Sequence, residues 1–220
     1  MQTKKIKKYS VLITLFILPL VTYLFFASAV HSFANLPTVH ENALQQKDYI
    51  NLVNNEAFSL NDKINVITFL GQDVKNQKVF AYNLKEKIYD KNKDFQDFQF
   101  VSIVGENQKQ NVKDFIYEIN LTSNAAKWKF IELPSIEAEQ LIKQLTNSKL
   151  TLDSNYASNY AFIVDKKGNL RGRVDDKDYG EMLGYNIKSI ADLNNKMVDD
   201  VKVILAEYRL ELKKYKADRK

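Results

Sequence analysis

No cysteine occurs in the 220 residues of this chain. Its absence excludes disulfides, thiol redox chemistry, thiolate metal sites and lipid attachment through cysteine. Histidine is almost as scarce. His31 and His40 are the only two, both close to an apolar N-terminal segment, so the body of the chain is expected to lack a histidine-based catalytic or metal centre. An excess of one charge is missing as well. The formal net charge is +5, but Lys4, Lys5, Lys7 and Lys8 supply four of the basic residues and no acid precedes Glu41, so residues 35–220 carry only about +1. Phosphate recognition needs a concentrated basic face, which a basic tail does not make, so no nucleic-acid partner is expected.

What is present begins with 22 uncharged residues, Tyr9 to Val30. At a rise of about 1.5 Å per residue, a helix of that length spans about 33 Å, enough to cross a hydrocarbon core. The lysines before it predict a single-pass inner-membrane protein with a cytoplasmic N-terminus and a domain facing the periplasm. A cleavable signal peptide is the competing reading, because the Lys-rich start, apolar middle and Ala27-Ser28-Ala29 fit its three-part pattern; the domain is exported under either. Residues 1–30 then form a basic tip and transmembrane anchor, 31–48 a polar linker, 49–210 one domain, and 211–220 the charged end of a C-terminal helix. Roughly 185 residues beyond the anchor suffice for one domain with its own core.

That domain is organised around Asn65 to Phe80. A short run rich in β-branched and aromatic residues, Val66 to Leu70, breaks at Gly71, and from Asp73 onward the apolar positions Val74, Val79, Phe80, Leu84 and Ile88 recur at helical spacing. Strand, tight turn and a helix over about 74–89 follow, with the charged run Asp90 to Asp94 ending the helix. Phe98 to Val104 reads as a second buried strand, giving the βαβ unit of a parallel sheet. A helix over 112–119, a short strand from Trp128 to Leu133 and a helix from Ser135 come next. Asn159 to Val164, a turn over 165–169 and Leu170 to Val174 read as an antiparallel hairpin on the sheet edge. Finally Ser189, with Asp192 three residues on, caps a long helix whose apolar stripe is Val198, Val201, Leu205, Tyr208, Leu212 and Tyr215. Its first half is expected to cover the sheet, and its second half either meets a partner or the membrane face or frays as a charged tail.

In an α/β domain, chemistry usually sits where a strand's carboxyl end faces a helix N-terminus, because free N–H groups and the helix dipole converge there. Here that turn holds no Cys, Ser or His. Asp73 reads as the cap of the helix, accepting from the backbone N–H of Lys75 or Asn76. Asp175, Asp176, Asp178 and Glu181 form an acidic cluster that reads as a solvated turn or as the holder of a hard cation. Arg171 and Arg173 alternate along one strand and so share a face, as a salt-bridged edge or a docking surface. Met182 and Met197 are too isolated for a methionine copper site, and Trp128 reads as core.

The order βαβ, helix, hairpin, helix after one N-terminal anchor resembles the thioredoxin fold, and the details resemble the Sco/SenC family of copper-handling assembly factors for cytochrome c oxidase, over most of residues 55–210. In that family the first strand is followed by F-F-T-x-C-P-x-x-C-P-x-M; Phe69 to Phe80 fills the same frame, with Asp73 and Gln77 at the two cysteine positions. The family's D-H-S segment before the hairpin is matched by Tyr156-Ala157-Ser158, with Val164-Asp165 in register, so Ala157 stands at the metal-binding histidine. Trp128-Lys-Phe and Gly168 to Asp175 resemble the family's tryptophan strand and hairpin. The resemblance implies a thioredoxin-like α/β fold, a central mixed sheet flanked by helices with one N-terminal transmembrane helix and a long C-terminal helix. It also implies a respiratory assembly role beside an oxidase subunit or assembly factor. With a carboxylate, an amide and a methyl group in place of the ligands, no copper relay is implied, no cofactor is expected and the chain is not expected to be an enzyme. Binding would then fall to Arg171, Arg173, Tyr208, Leu212 and Tyr215. The alternatives are an envelope interaction protein unrelated to respiration and a cysteine-free enzyme using Asp73 or the Asp175, Asp176 and Asp178 cluster.

Overall fold

The computed structural model describes residues 2–28, 35–45 and 47–217, with side chains described over 12–25, 35–45 and 47–210. It divides into an N-terminal unit ending at residue 34 and a second unit beginning at Asn35. The first contains one helix, α1 (Gln2–Ser28), with Pro19 inside it. Pro19 lacks an N–H, and one turn on the Thr22 hydroxyl donates to the Leu18 carbonyl at 2.8 Å. Among the described residues no helix is long and apolar enough to cross a membrane. Helix α1 covers Tyr9 to Ser28 of the expected transmembrane segment, but the described residues do not bear out a membrane-crossing helix there.

The second unit opens with a strand where the sequence leads one to expect a linker. Residues Thr38–His40 form β1, and Leu36, Ala43 and Leu44 beside it are buried. A small hairpin follows, β2 (Asp48–Ile50) with β3 (Ala57–Ser59). Next come β4 (Ile64–Gly71), α2 (Val74–Leu84), a π-helical turn over Lys85–Tyr89, and α3 (Asp90–Asn92). Then β5 (Phe98–Val104), α4 (Lys109–Asn120), β6 (Trp128–Glu132), α5 (Ser135–Leu145) and β7 (Ala157–Val164) run close to the expected bounds. The chain closes with β8 (Leu170–Arg171), β9 (Arg173–Asp176), β10 (Gly180–Met182), β11 (Tyr185–Asn186), α6 (Ile190–Asp192), a second π-helical turn over Leu193–Met197, and α7 (Val198–Ala217).

The main sheet runs β1-β8-β7-β4-β5-β6, with β11 also pairing β7. Strands β4, β5 and β6 are parallel and β7 is antiparallel to β4, so the sheet is mixed as expected. All eight residues of β4 are buried, as a strand covered on both faces requires. Its pleat sorts them. Ile64, Val66 and Leu70 join Phe98, Phe100 and Trp128 against α2, α4 and α7, while Ile67 and Phe69 join Val101, Ile103 and Phe162 against α5. Trp128 is core, its ring 4.9 Å from Phe100 and 5.5 Å from Phe115, and its indole N–H donates to Ser102 Oγ at 2.9 Å. The Ser102 hydroxyl also meets Thr68 Oγ1 at 2.8 Å, so the polar groups between the central strands are paired.

The hairpin is the main departure. The return strand expected over Leu170 to Val174 breaks at Gly172, whose N–H donates to Pro37 O at 3.0 Å. A Cβ at Gly172 would lie 2.1 Å from Met182 O. Arg171 consequently stays in the main sheet, Arg173 passes to the separate β9–β10 ribbon, and the two arginines do not share one strand face. Nor is the hairpin an edge, because β1 covers β8. The buried Arg171 donates from Nη1 to Asp165 at 3.1 Å, from Nη2 to Glu207 at 2.7 Å and from Nε to the Leu36 carbonyl at 2.8 Å. Glu207 accepts in turn from the Leu36 N–H. One charged cluster thus joins the segment before β1, the β7–β8 turn, β8 and α7. Removing one member of a buried ionic set strands the others in a low-dielectric site. Arg171→Ala is therefore expected to lower unfolding free energy by about 3–5 kcal/mol in urea denaturation, with β1 losing amide-exchange protection first.

Candidate functional site

Ala157 pairs at the carboxyl end of β4, and Asp73 and Gln77 lie in the cap and first turns of the helix that follows that strand. Gly71 ends that strand at φ +63°, the left-handed region that glycine enters without a Cβ penalty. The bend brings it against the start of β7: Leu70 pairs with Ala157, and the Gln72 N–H donates to Asn155 O at 2.8 Å. Asp73 then caps α2, its carboxylate accepting from the Asn76 N–H at 3.2 Å, as the sequence leads one to expect. Gln77 lies in the first turns of α2, its N–H donating to Asp73 O at 3.2 Å, with a buried side-chain oxygen that has no hydrogen-bond partner among the described residues. Ala157 is 2 % exposed, and Asp153 accepts from its N–H at 2.9 Å. Beside it Tyr156 holds φ +56°, a conformation that costs an aromatic residue about 1–3 kcal/mol and collects at functional sites.

The donor set does not suit a soft metal. Asp73 is committed to the helix cap, Gln77 offers an amide oxygen and Ala157 only a methyl group, whereas copper(I) prefers thiolate, thioether and imidazole. Among the described residues no group of three or more His, Cys, Asp or Glu side chains could hold a metal ion. His40 sits within the domain after all, in β1, with Nδ1 3.1 Å from the Leu145 carbonyl; His31 lies outside the described residues.

Several of the remaining candidates are engaged internally. In the acidic cluster, Asp176 accepts from Lys196 Nζ at 2.5 Å and from Arg173 at 3.2 Å. Asp178 also accepts from Lys196, at 2.8 Å, and Glu181 pairs with Lys149. Lysine and arginine side chains of the chain itself thus face Asp176, Asp178 and Glu181, while Asp175 is exposed. Arg173 forks onto Asp200 at 2.7 and 3.0 Å, and the buried Tyr185 hydroxyl donates to the same carboxylate at 2.7 Å. Burial and the Asp200 charge push the Tyr185 phenol well above its usual value. With Arg171 buried and Tyr208 7 % exposed in the core, neither presents a docking surface. Leu212 and Tyr215 lie in α7, their side chains outside the described residues.

Two outcomes follow from these contacts. At Gly71 a Cβ would lie 2.1 Å from Asn155 O, a backbone atom that cannot swing aside, so Gly71→Ala should cost about 2 kcal/mol or more in urea denaturation. The second concerns pH. The Lys196 hydrogen bond, opposed by burial and helped by Asp178 N–H and Arg173, lowers the Asp176 carboxyl from 3.8 to about 2. A depressed carboxyl stabilises the fold fully above its unfolded value and ceases to do so as pH falls through its folded value. Melting temperature should therefore fall between about pH 4 and pH 2, and Asp176→Asn should flatten that part of the profile.

Comparison of the sequence with protein-family models and with curated proteins finds no match. Among solved structures the chain is similar to BsSco, a member of the Sco family of cytochrome c oxidase assembly proteins, with 13% identity and a TM-score of 0.54 over 78% of this chain and 97% of that one. It is also similar to a proposed protein disulfide isomerase from Bacteroides thetaiotaomicron, with 12% identity and a TM-score of 0.51 over 81% of this chain and 98% of that one. At such identities the likeness is one of fold, and the order of strands and helices agrees with it: the chain has a thioredoxin-like, mixed α/β fold.

Proposed function

We propose that this chain is a redox-inactive, Sco-like binding or assembly component of cytochrome c oxidase biogenesis and not an enzyme. The observation that carries the reading is the site itself. Asp73 and Gln77 open the helix that follows β4 and Ala157 pairs with the end of β4, in the frame where the Sco resemblance puts its ligands, and they bring no thiol or imidazole. The overlap with BsSco, described as a member of a family of oxidase assembly proteins, supports the process. The uncharged stretch Tyr9 to Val30 behind four lysines supports an inner-membrane tether that holds the domain in the periplasm. A domain with this composition can act by holding a protein partner, an oxidase subunit or another assembly factor, through a few well-placed side chains.

Deleting the gene tests the reading. Membranes of the deletion strain should lose oxidase activity and copper content. The intact protein and an Asp73→Ala, Gln77→Ala double variant should both restore them, because neither side chain is a ligand in this reading. Unchanged oxidase activity in the deletion strain would remove the respiratory assignment. Restoration by the intact protein alone, with the double variant present in the membrane at the same level and folded, would show that the two positions act chemically.

A further inference from the structure

A cleft of about 220 Å³ lies away from the end of β4, where the loop at Leu150, β7 at Tyr160, the β9–β10 turn at Tyr179 and α6 at Asp192 meet. No sequence motif marks it, because its walls come from four separate segments. Leu150, Met182 and Leu183 supply apolar surface, and the two tyrosines supply partly exposed rings, 37% and 57%. Asp192 is 7% exposed. Its carboxylate accepts from the Tyr179 hydroxyl at 3.2 Å, and among the described residues it enters no ion pair. The nearby cation is already used: Lys196 Nζ binds Asp176 and Asp178 and lies 4.3 Å from the centre of the Tyr179 ring. Lys149 is likewise taken by Glu181. Of the two carboxylates that line the cleft, Glu181 is paired with Lys149, which leaves Asp192 as the one without an ion pair among the described residues.

A buried carboxylate without a counter-charge is costly, and a ligand cation relieves that cost. Tyrosine rings favour a cation near their faces, and the Lys196 contact shows one of these rings doing so within the chain. We propose that this cleft binds a small organic amine, whose primary ammonium donates to the Asp192 carboxylate beside Tyr160 and Tyr179 while its short apolar body lies against Leu150, Met182 and Leu183. The cleft's size suits a small molecule and not an extended polymer. This binding is independent of the positions at the end of β4.

Calorimetric titration of the full-length protein with n-hexylamine, and with n-hexanol as its uncharged counterpart, tests the assignment. Hexylamine should bind saturably at one site and about tenfold more tightly than hexanol, and Asp192→Asn should remove that tenfold preference. Tyr160→Ala, at an exposed ring, should weaken hexylamine while leaving the melting temperature unchanged; it carries the test if Asp192→Asn fails to fold. Equal binding of amine and alcohol, no saturable heat with hexylamine, or unaltered hexylamine affinity in the variants would each overturn it.

Discussion

The left-handed turn at Gly71 is the constraint on which the centre of this molecule depends. A residue with a Cβ there would meet the backbone of Asn155 and Tyr156, so the antiparallel β7 could not lie against the end of the parallel β4. Three consequences share that one bend. It aims the chain into α2, places Asp73 at the helix N-terminus, and sets Ala157 beside Leu70. The Gly71 carbonyl also accepts from the Gly105 N–H at 2.9 Å, so the end of β5 is tied to the same point.

Away from that point, charge closes the structure. Arg171, itself held by Asp165, donates to the Leu36 carbonyl and Glu207 accepts from the Leu36 N–H, which turns a segment of polar sequence into the route to an outer strand. Arg173, Asp176, Asp200, Tyr185 and Lys196 bind the β9–β10 ribbon to the start of α7. Each set is fully paired, the condition under which buried charge holds a geometry without heavy desolvation loss. The bidentate Arg173–Asp200 pair holds the Arg173 guanidinium above its usual range.

Legibility in the sequence divides along physical lines. The strands over Ile64–Gly71 and Phe98–Val104, the Asp73 cap and the Ser189 cap could be read locally, because their signals are short-range: apolar runs, a breaking glycine, an oxygen three residues before an N–H. Strand β1 could not be read. Three residues, Thr38, Val39 and His40, carry no periodicity of their own, and their pairing is fixed by Arg171 and Leu170, more than a hundred residues away. The break at Gly172 was hidden for the same reason. An alternating Leu-Arg-Gly-Arg-Val pattern reads as one strand, and only the approach of Met182 and Pro37 reveals the division. That Asp73 and Ala157 belong to neighbouring segments is legible solely through the resemblance; the partners of the acidic cluster, which decide its chemistry, are not legible at all.

The residue type at position 73 decides what the field at this helix N-terminus does. The N–H groups and dipole at a helix N-terminus stabilise negative charge, which is why a thiol held there becomes a thiolate and a nucleophile. A carboxylate at the same place is stabilised by the same field, yet it is already ionised and gains no reactivity from it. Asp73 accepts from the Asn76 N–H and closes the helix, so an electrostatic environment that would activate sulfur serves here as a structural cap. The close packing at Gly71 persists beside it, since it is demanded by the strand pairing and not by the chemistry of the side chains around it.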